Sequence, residues 1–147
     1  MGRRPRRCIA VSLLIIGGCA PVEAGRSPST APAAAAVATL IRSGTTVTGQ
    51  PLGPVDAPWE AVISRSELPP GGVLPMHKHP WPRYAFVLRG RLRVSYEESG
   101  LIREFGAGEA VIEAVDQWHE GRVVGDEPVT LIVFDQVPPG RANVVPR

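Results

Sequence analysis

From Trp59 onward, short apolar runs are interrupted at about ten-residue intervals by clusters of Pro, Gly, Asp, Glu and Ser. No stretch holds a helical apolar period for the length of a helix. A chain punctuated in this way can bury its apolar residues only by pairing short strands, so the spacing predicts an all-β domain.

The punctuation also sets the expected strands. Trp59 to Leu68 is halted by Pro69-Pro70-Gly71-Gly72, because proline donates no ladder hydrogen bond and glycine accepts unusual backbone angles. Tyr84 to Leu88 turns back through Arg89-Gly90-Arg91 into Leu92 to Tyr96, where Leu92, Val94 and Tyr96 alternate with Arg93 and Ser95. Leu101 to Phe105, Ala110 to Glu113, Trp118 to Val124 and Val129 to Asp135 continue the series. About seven to nine such strands suit one barrel or jelly roll, and 147 residues leave room for a single ordinary domain.

The stretch GGVLPMHKHPWPRYAFVLRG, residues 71–90, holds two of the three histidines. Residues i and i+2 of a strand project from one face, so His77 and His79 can converge inside a barrel, and His119 on another strand can complete a three-imidazole site. Imidazole favours transition metals over calcium or magnesium, which prefer oxygen. The structural alternative puts His77 and His79 at a surface strand end and makes His119 a hydrogen-bonded core residue.

These motifs resemble the cupin superfamily, in particular its small single-domain members, whose first motif runs Gly, five residues, His-x-His, three or four residues, Glu, six residues, Gly. Gly71, His77, His79 and Gly90 fall in that register. The second motif, Gly, five residues, Pro-x-Gly, two residues, His, three residues, Asn, is matched more loosely by GEAVIEAVDQWHEGRV. Gly108 and His119 have the right separation, but Ala114, Asp116 and Val123 stand at the Pro, Gly and Asn positions. The resemblance implies a double-stranded β-helix, or jelly-roll, fold. It also implies a divalent transition metal on His77, His79 and His119, iron first, with Mn, Ni, Zn and Cu as alternatives.

Counting from both flanks of the first motif, the family's glutamate position is held by Arg83. A guanidinium stays protonated and cannot ligate, so Glu113 is the candidate fourth ligand. If Arg83 faces inward it needs an anion, which Glu113 or an acidic substrate held in the planar fork can provide. Cupins with three histidines and no glutamate include thiol, diketone and aromatic-ring-cleaving dioxygenases. Residues 45–147 contain no cysteine, so the cysteine–tyrosine crosslink of some thiol dioxygenases cannot form here. Trp81 and Trp118, beside the histidines in sequence, are candidates for the pocket rim or for simple packing.

The amino-terminal segment has a different character. Arg3, Arg4, Arg6 and Arg7 precede an apolar run from Cys8 to Ile16, the layout of a signal peptide. The run is about half the ~20 residues of a membrane-spanning helix. Ile16-Gly17-Gly18-Cys19 resembles a bacterial lipobox, which makes Cys19 the expected lipidation site and the protein an envelope lipoprotein; cleavage after Ala24 would instead secrete it. Residues 20–44, rich in Ala, Pro and Ser, read as a flexible tether, and residues 45–147 as the barrel.

Residues 1–44 carry six arginines against Glu23 alone, so the formal +2 of the whole chain leaves residues 45–147 at −3. The sequence pI near 8.8 therefore reports the leader and gives no reason to expect nucleic acid as a partner. Tyr84, Phe86 and Leu88 form an outward apolar strip, and with the cupin resemblance this implies a homodimer. Two functions follow: an exported metal-dependent oxidoreductase of dioxygenase type acting on a small molecule, or a non-enzymatic cupin module that binds a ligand or metal at the envelope, with Arg83 as a structural ion pair. No general base can be assigned from spacing alone.

Overall fold

The computed structural model describes residues 37–54 and 58–147. The leader, Cys19 and the tether up to residue 36 lie outside the described residues. Among the described residues nine strands form: β1 (Glu60–Leu68), β2 (Val73–Lys78), β3 (Arg83–Arg89), β4 (Arg91–Tyr96), β5 (Ile102–Gly106), β6 (Ala110–Ile112), β7 (His119–Val123), β8 (Val129–Val137) and β9 (Val145–Pro146). No helix interrupts them. Most boundaries fall within two residues of those expected from the turn clusters, whereas β9 had no counterpart in the sequence reading.

The strands form two sheets, ordered β1-β8-β3-β6 and β5-β4-β7-β2-β9, with every strand pair antiparallel. Leu68, Val87, Val111, Val129, Leu131 and Val133 from the first sheet pack against Leu92, Val94, Tyr96 and Phe105 from the second. Each contributes through the two-residue alternation of its strand, so the apolar faces meet and the arginine-bearing faces are left to solvent.

Two turns show how local sequence sets this arrangement. Gly90, between β3 and β4, has φ +77°, and a Cβ there would stand 2.4 Å from the Pro128 carbonyl oxygen; only glycine fits. Asp116 stands where the family pattern has glycine and is the one non-glycine residue at positive φ among the described residues, at +56°. Aspartate tolerates this conformation better than most residues, and its N–H donates to the His79 carbonyl at 2.7 Å, which ties the two histidine segments together.

Residues 45–51 fold back on the first sheet. Thr45 bridges Pro51, Val47 donates its N–H to the Ile112 carbonyl, and the Gln50 amide both donates to and accepts from the backbone of Val115. They cover the edge that β6 would otherwise expose.

Candidate metal centre

The three histidines come from one sheet. His77 in β2 pairs directly with His119 in β7, which pairs in turn with Tyr96 in β4. A bulge between Leu74 and His77 shifts the register, and Pro75, which has no N–H to give to a ladder, sits within it. The shift puts Leu74 and His77 on the same inner face. His79 lies just beyond β2, where a parallel bridge to Val115 holds it.

All three imidazoles are buried, and their nearest ring nitrogens lie within 4.8 Å of one another. Each turns its Nδ1 to a backbone carbonyl: His77 to Pro75 at 2.6 Å, His79 to Asn143 at 2.6 Å and His119 to Gln117 at 2.9 Å. A carbonyl only accepts, so each Nδ1 carries the proton and each Nε2 keeps its lone pair. The Nε2 atoms of His79 and His119 are 3.2 Å apart, two lone pairs facing each other with no proton assigned between them. A cation at the mouth of these three nitrogens would remove the conflict. Outer contacts of this kind, with ring N–H groups held by backbone carbonyls, are what orient histidine ligands in metal sites.

The electrostatics agree. Burial, followed by the Arg83 charge, lowers His79 from 6.5 to about 2, and burial lowers His77 as well. Both rings therefore stay neutral and competent as ligands near neutral pH.

Arg83 does face inward, but its partner is Asp135 and not Glu113. The guanidinium donates from Nε to Oδ1 at 2.7 Å and from Nη2 to Oδ2 at 2.8 Å, and Asp135, 5% exposed, receives a third bond from Asn143 Nδ2 at 2.7 Å. The remaining nitrogen, Nη1, is 3.4 Å from His79 Nε2. The reason is register: Arg83 pairs directly with Asp135 across β3 and β8, which puts both side chains on one face. Glu113 instead accepts from the Tyr96 hydroxyl at 2.7 Å and stands outside the histidine cluster. Burial, then the Glu113 charge, pushes the Tyr96 hydroxyl far above its ordinary range, so it remains a donor.

A cavity of about 340 Å³ opens at the histidines and is lined by both sheets. Arg83 and Glu113 reach it, and Val144 and Pro146 stand at its edge. Neither Trp81 nor Trp118 is part of the lining. Trp118 lies between the charges of Lys78 and Arg147, 5.1 and 5.4 Å from its ring, and Trp81 is held by Asn143 through two backbone bonds. Asp135, Tyr96 and Asn143 are the site residues that the sequence reading missed.

Residues 64–135 match the family model described as Cupin domain. Among solved structures, the chain resembles an oxalate oxidase at 24% identity over 58% of this chain and 45% of that one, with a TM-score of 0.50. It also resembles the DMSP lyase DddQ from Ruegeria pomeroyi DSS-3, at 24% identity over 58% and 42% with a TM-score of 0.51. A third is the oxalate decarboxylase from Bacillus subtilis, at 21% identity over 58% and 23% with a TM-score of 0.50. The chain spans less than half the length of each, and likeness at this level shows the fold alone. No curated protein matches the sequence. The match over residues 64–135, the paired antiparallel sheets and the three inward histidines together give this chain a cupin-like jelly-roll fold with residues placed to hold a metal ion.

Proposed function

We propose that this is an exported, metal-dependent oxidoreductase of dioxygenase type, holding a divalent transition metal, iron first, on His77, His79 and His119. The observation that carries the reading is the set of three Nε2 lone pairs, each fixed by a carbonyl on the opposite ring nitrogen, at the wall of a cavity large enough for a small organic molecule. When bound, such a metal supplies Lewis acidity and redox chemistry. The chain would supply the rest: three imidazole ligands, a mostly apolar cavity, and Glu113 at its wall. With no acid at the position of Arg83, the protein would offer a metal three histidine ligands.

Export is supported by the arginine-led apolar leader, and lipidation by Cys19 after Ile16-Gly17-Gly18. Copies pair through the outer face of the β1-β8-β3-β6 sheet, where Ile63 and Leu88 are exposed beside Phe134 and Phe86; sedimentation of Ile63→Glu against the parent chain tests this. The decisive experiment is elemental mass spectrometry of the purified chain with His77→Ala and His119→Ala variants that keep the β-sheet circular dichroism. Near-stoichiometric metal lost in both variants, followed by dioxygen consumption with the iron-loaded protein, supports the reading. A folded, metal-free parent refutes it.

A further inference from the structure

We infer that the ligand of this cavity is an uncharged, mostly apolar molecule bearing a hydroxyl group, and not a carboxylate, phosphate or sulfonate. The inference deepens the proposed reading and uses the same cavity, but its chemistry comes from groups other than the histidines.

Among the described residues Arg83 is the only arginine or lysine in the lining, and it is the group that would recognise an acid. Recognition of a carboxylate or phosphate uses two parallel N–H groups of the guanidinium fork. Here Nε and Nη2 make that pair of bonds to Asp135, so the charge is matched and this side of the fork is filled. The remaining N–H groups lie on the Nη1 side, beside His79, and carry no charge that Asp135 has not already matched.

Glu113 adds the opposite charge. Its Oε2 takes the Tyr96 hydroxyl, while among the described residues no group of the chain donates to Oε1. An anionic ligand would meet this carboxylate in a mostly apolar cavity, where repulsion between like charges is screened less than in bulk water. A hydroxyl, by contrast, can give its hydrogen to Oε1, and a donor is the one thing this acceptor lacks.

Most of the rest of the wall is apolar, with Leu74, Leu92, Val94, Leu131, Val133 and Val144 around the space and the Ser66 hydroxyl as a further polar group. A metal at the histidines adds positive charge at one end only. An acid beside it would still lie against Glu113 and these apolar side chains. An apolar skeleton with one hydroxylated end matches both halves of the cavity.

The test uses the full chain, metal-free and zinc-loaded, with 2-naphthol, 2-naphthoate and naphthalene-2-sulfonate as probes of one skeleton and different charge, measured by calorimetry. The expected result is that 2-naphthol binds at least about tenfold more tightly than either anion, and that Glu113→Gln, which turns a donor toward the cavity, narrows or reverses the preference. Equal or tighter binding of an anion by the parent protein, or no binding of 2-naphthol in either form, would overturn the inference. Zinc stoichiometry is read separately. A protein that takes up no metal yet prefers 2-naphthol would sink the metal reading and leave this one standing.

Discussion

Replacing Asp135 by alanine removes the acceptor of three hydrogen bonds, two from Arg83 and one from Asn143, at a site where the carboxylate side chain is 7% exposed and the guanidinium 17%. The pair is largely withdrawn from solvent, so water replaces the lost carboxylate poorly. Breaking one partner of a buried pair leaves the other charge uncompensated, at about 3–5 kcal/mol. For a domain of this size that is a fall in midpoint temperature on the order of 15 °C. The damage reaches the histidines as well, because the unmatched guanidinium has a nitrogen 3.4 Å from His79 Nε2 and would repel a cation there. Urea unfolding of Asp135→Ala, with Arg83→Met and the double variant Arg83→Met/Asp135→Leu, gives the cycle. The double variant should recover most of the loss, since two apolar residues leave no stranded charge. A loss below about 1 kcal/mol for Asp135→Ala, the worth of an exposed pair, would refute the claim that this pair is buried and matched.

Three other perturbations probe the same design. His79 is held neutral, with its folded value depressed below 6.5 to about 2, so its contribution is present above pH 6.5 and is lost as pH falls into that window. The metal-free protein should lose up to about 1.4 kcal/mol per pH unit from this group, with a shallower slope for His79→Gln in urea titrations at pH 7.5, 5.5 and 4.5; equal slopes would count against it. Tyr96→Phe leaves Glu113 Oε2 without its donor and should cost about 1–3 kcal/mol; unchanged stability would mean that water replaces the hydroxyl. Gly90→Ala should cost about 1–3 kcal/mol from backbone strain, and more from the 2.4 Å approach to Pro128. It should exceed Gly100→Ala, where φ is +66° but nothing lies within 4 Å; similar melting temperatures for the two would remove the argument.

The strand order of events was legible because turn formers mark nearly every strand end, and the alternation of Leu92, Val94 and Tyr96 showed which face turns inward. The same alternation carried an unread signal. In Val129 to Asp135 the inward positions are 129, 131, 133 and 135, so an aspartate ends an otherwise apolar row. A charge there must have a buried partner, and the only inward arginine already in view was Arg83. Glu113 is an acid within reach along the chain, but cross-strand register decides which side chains meet, and it pairs Arg83 with Asp135. Asn143 left no comparable trace: it follows Pro138-Pro139-Gly140 in a segment without periodicity, and its role depends on how β9 lies along β2.

All three histidines belong to the sheet of β5, β4, β7, β2 and β9 or to the turn that leaves it. An ion on them is thus a clasp within one layer and not a rivet joining two. Loading should slow amide exchange in β2 and β7 while β1 and β8 keep their own rate. The opposing layer meets that ion only at second hand, through Arg83 Nη1 at 3.4 Å from His79 Nε2.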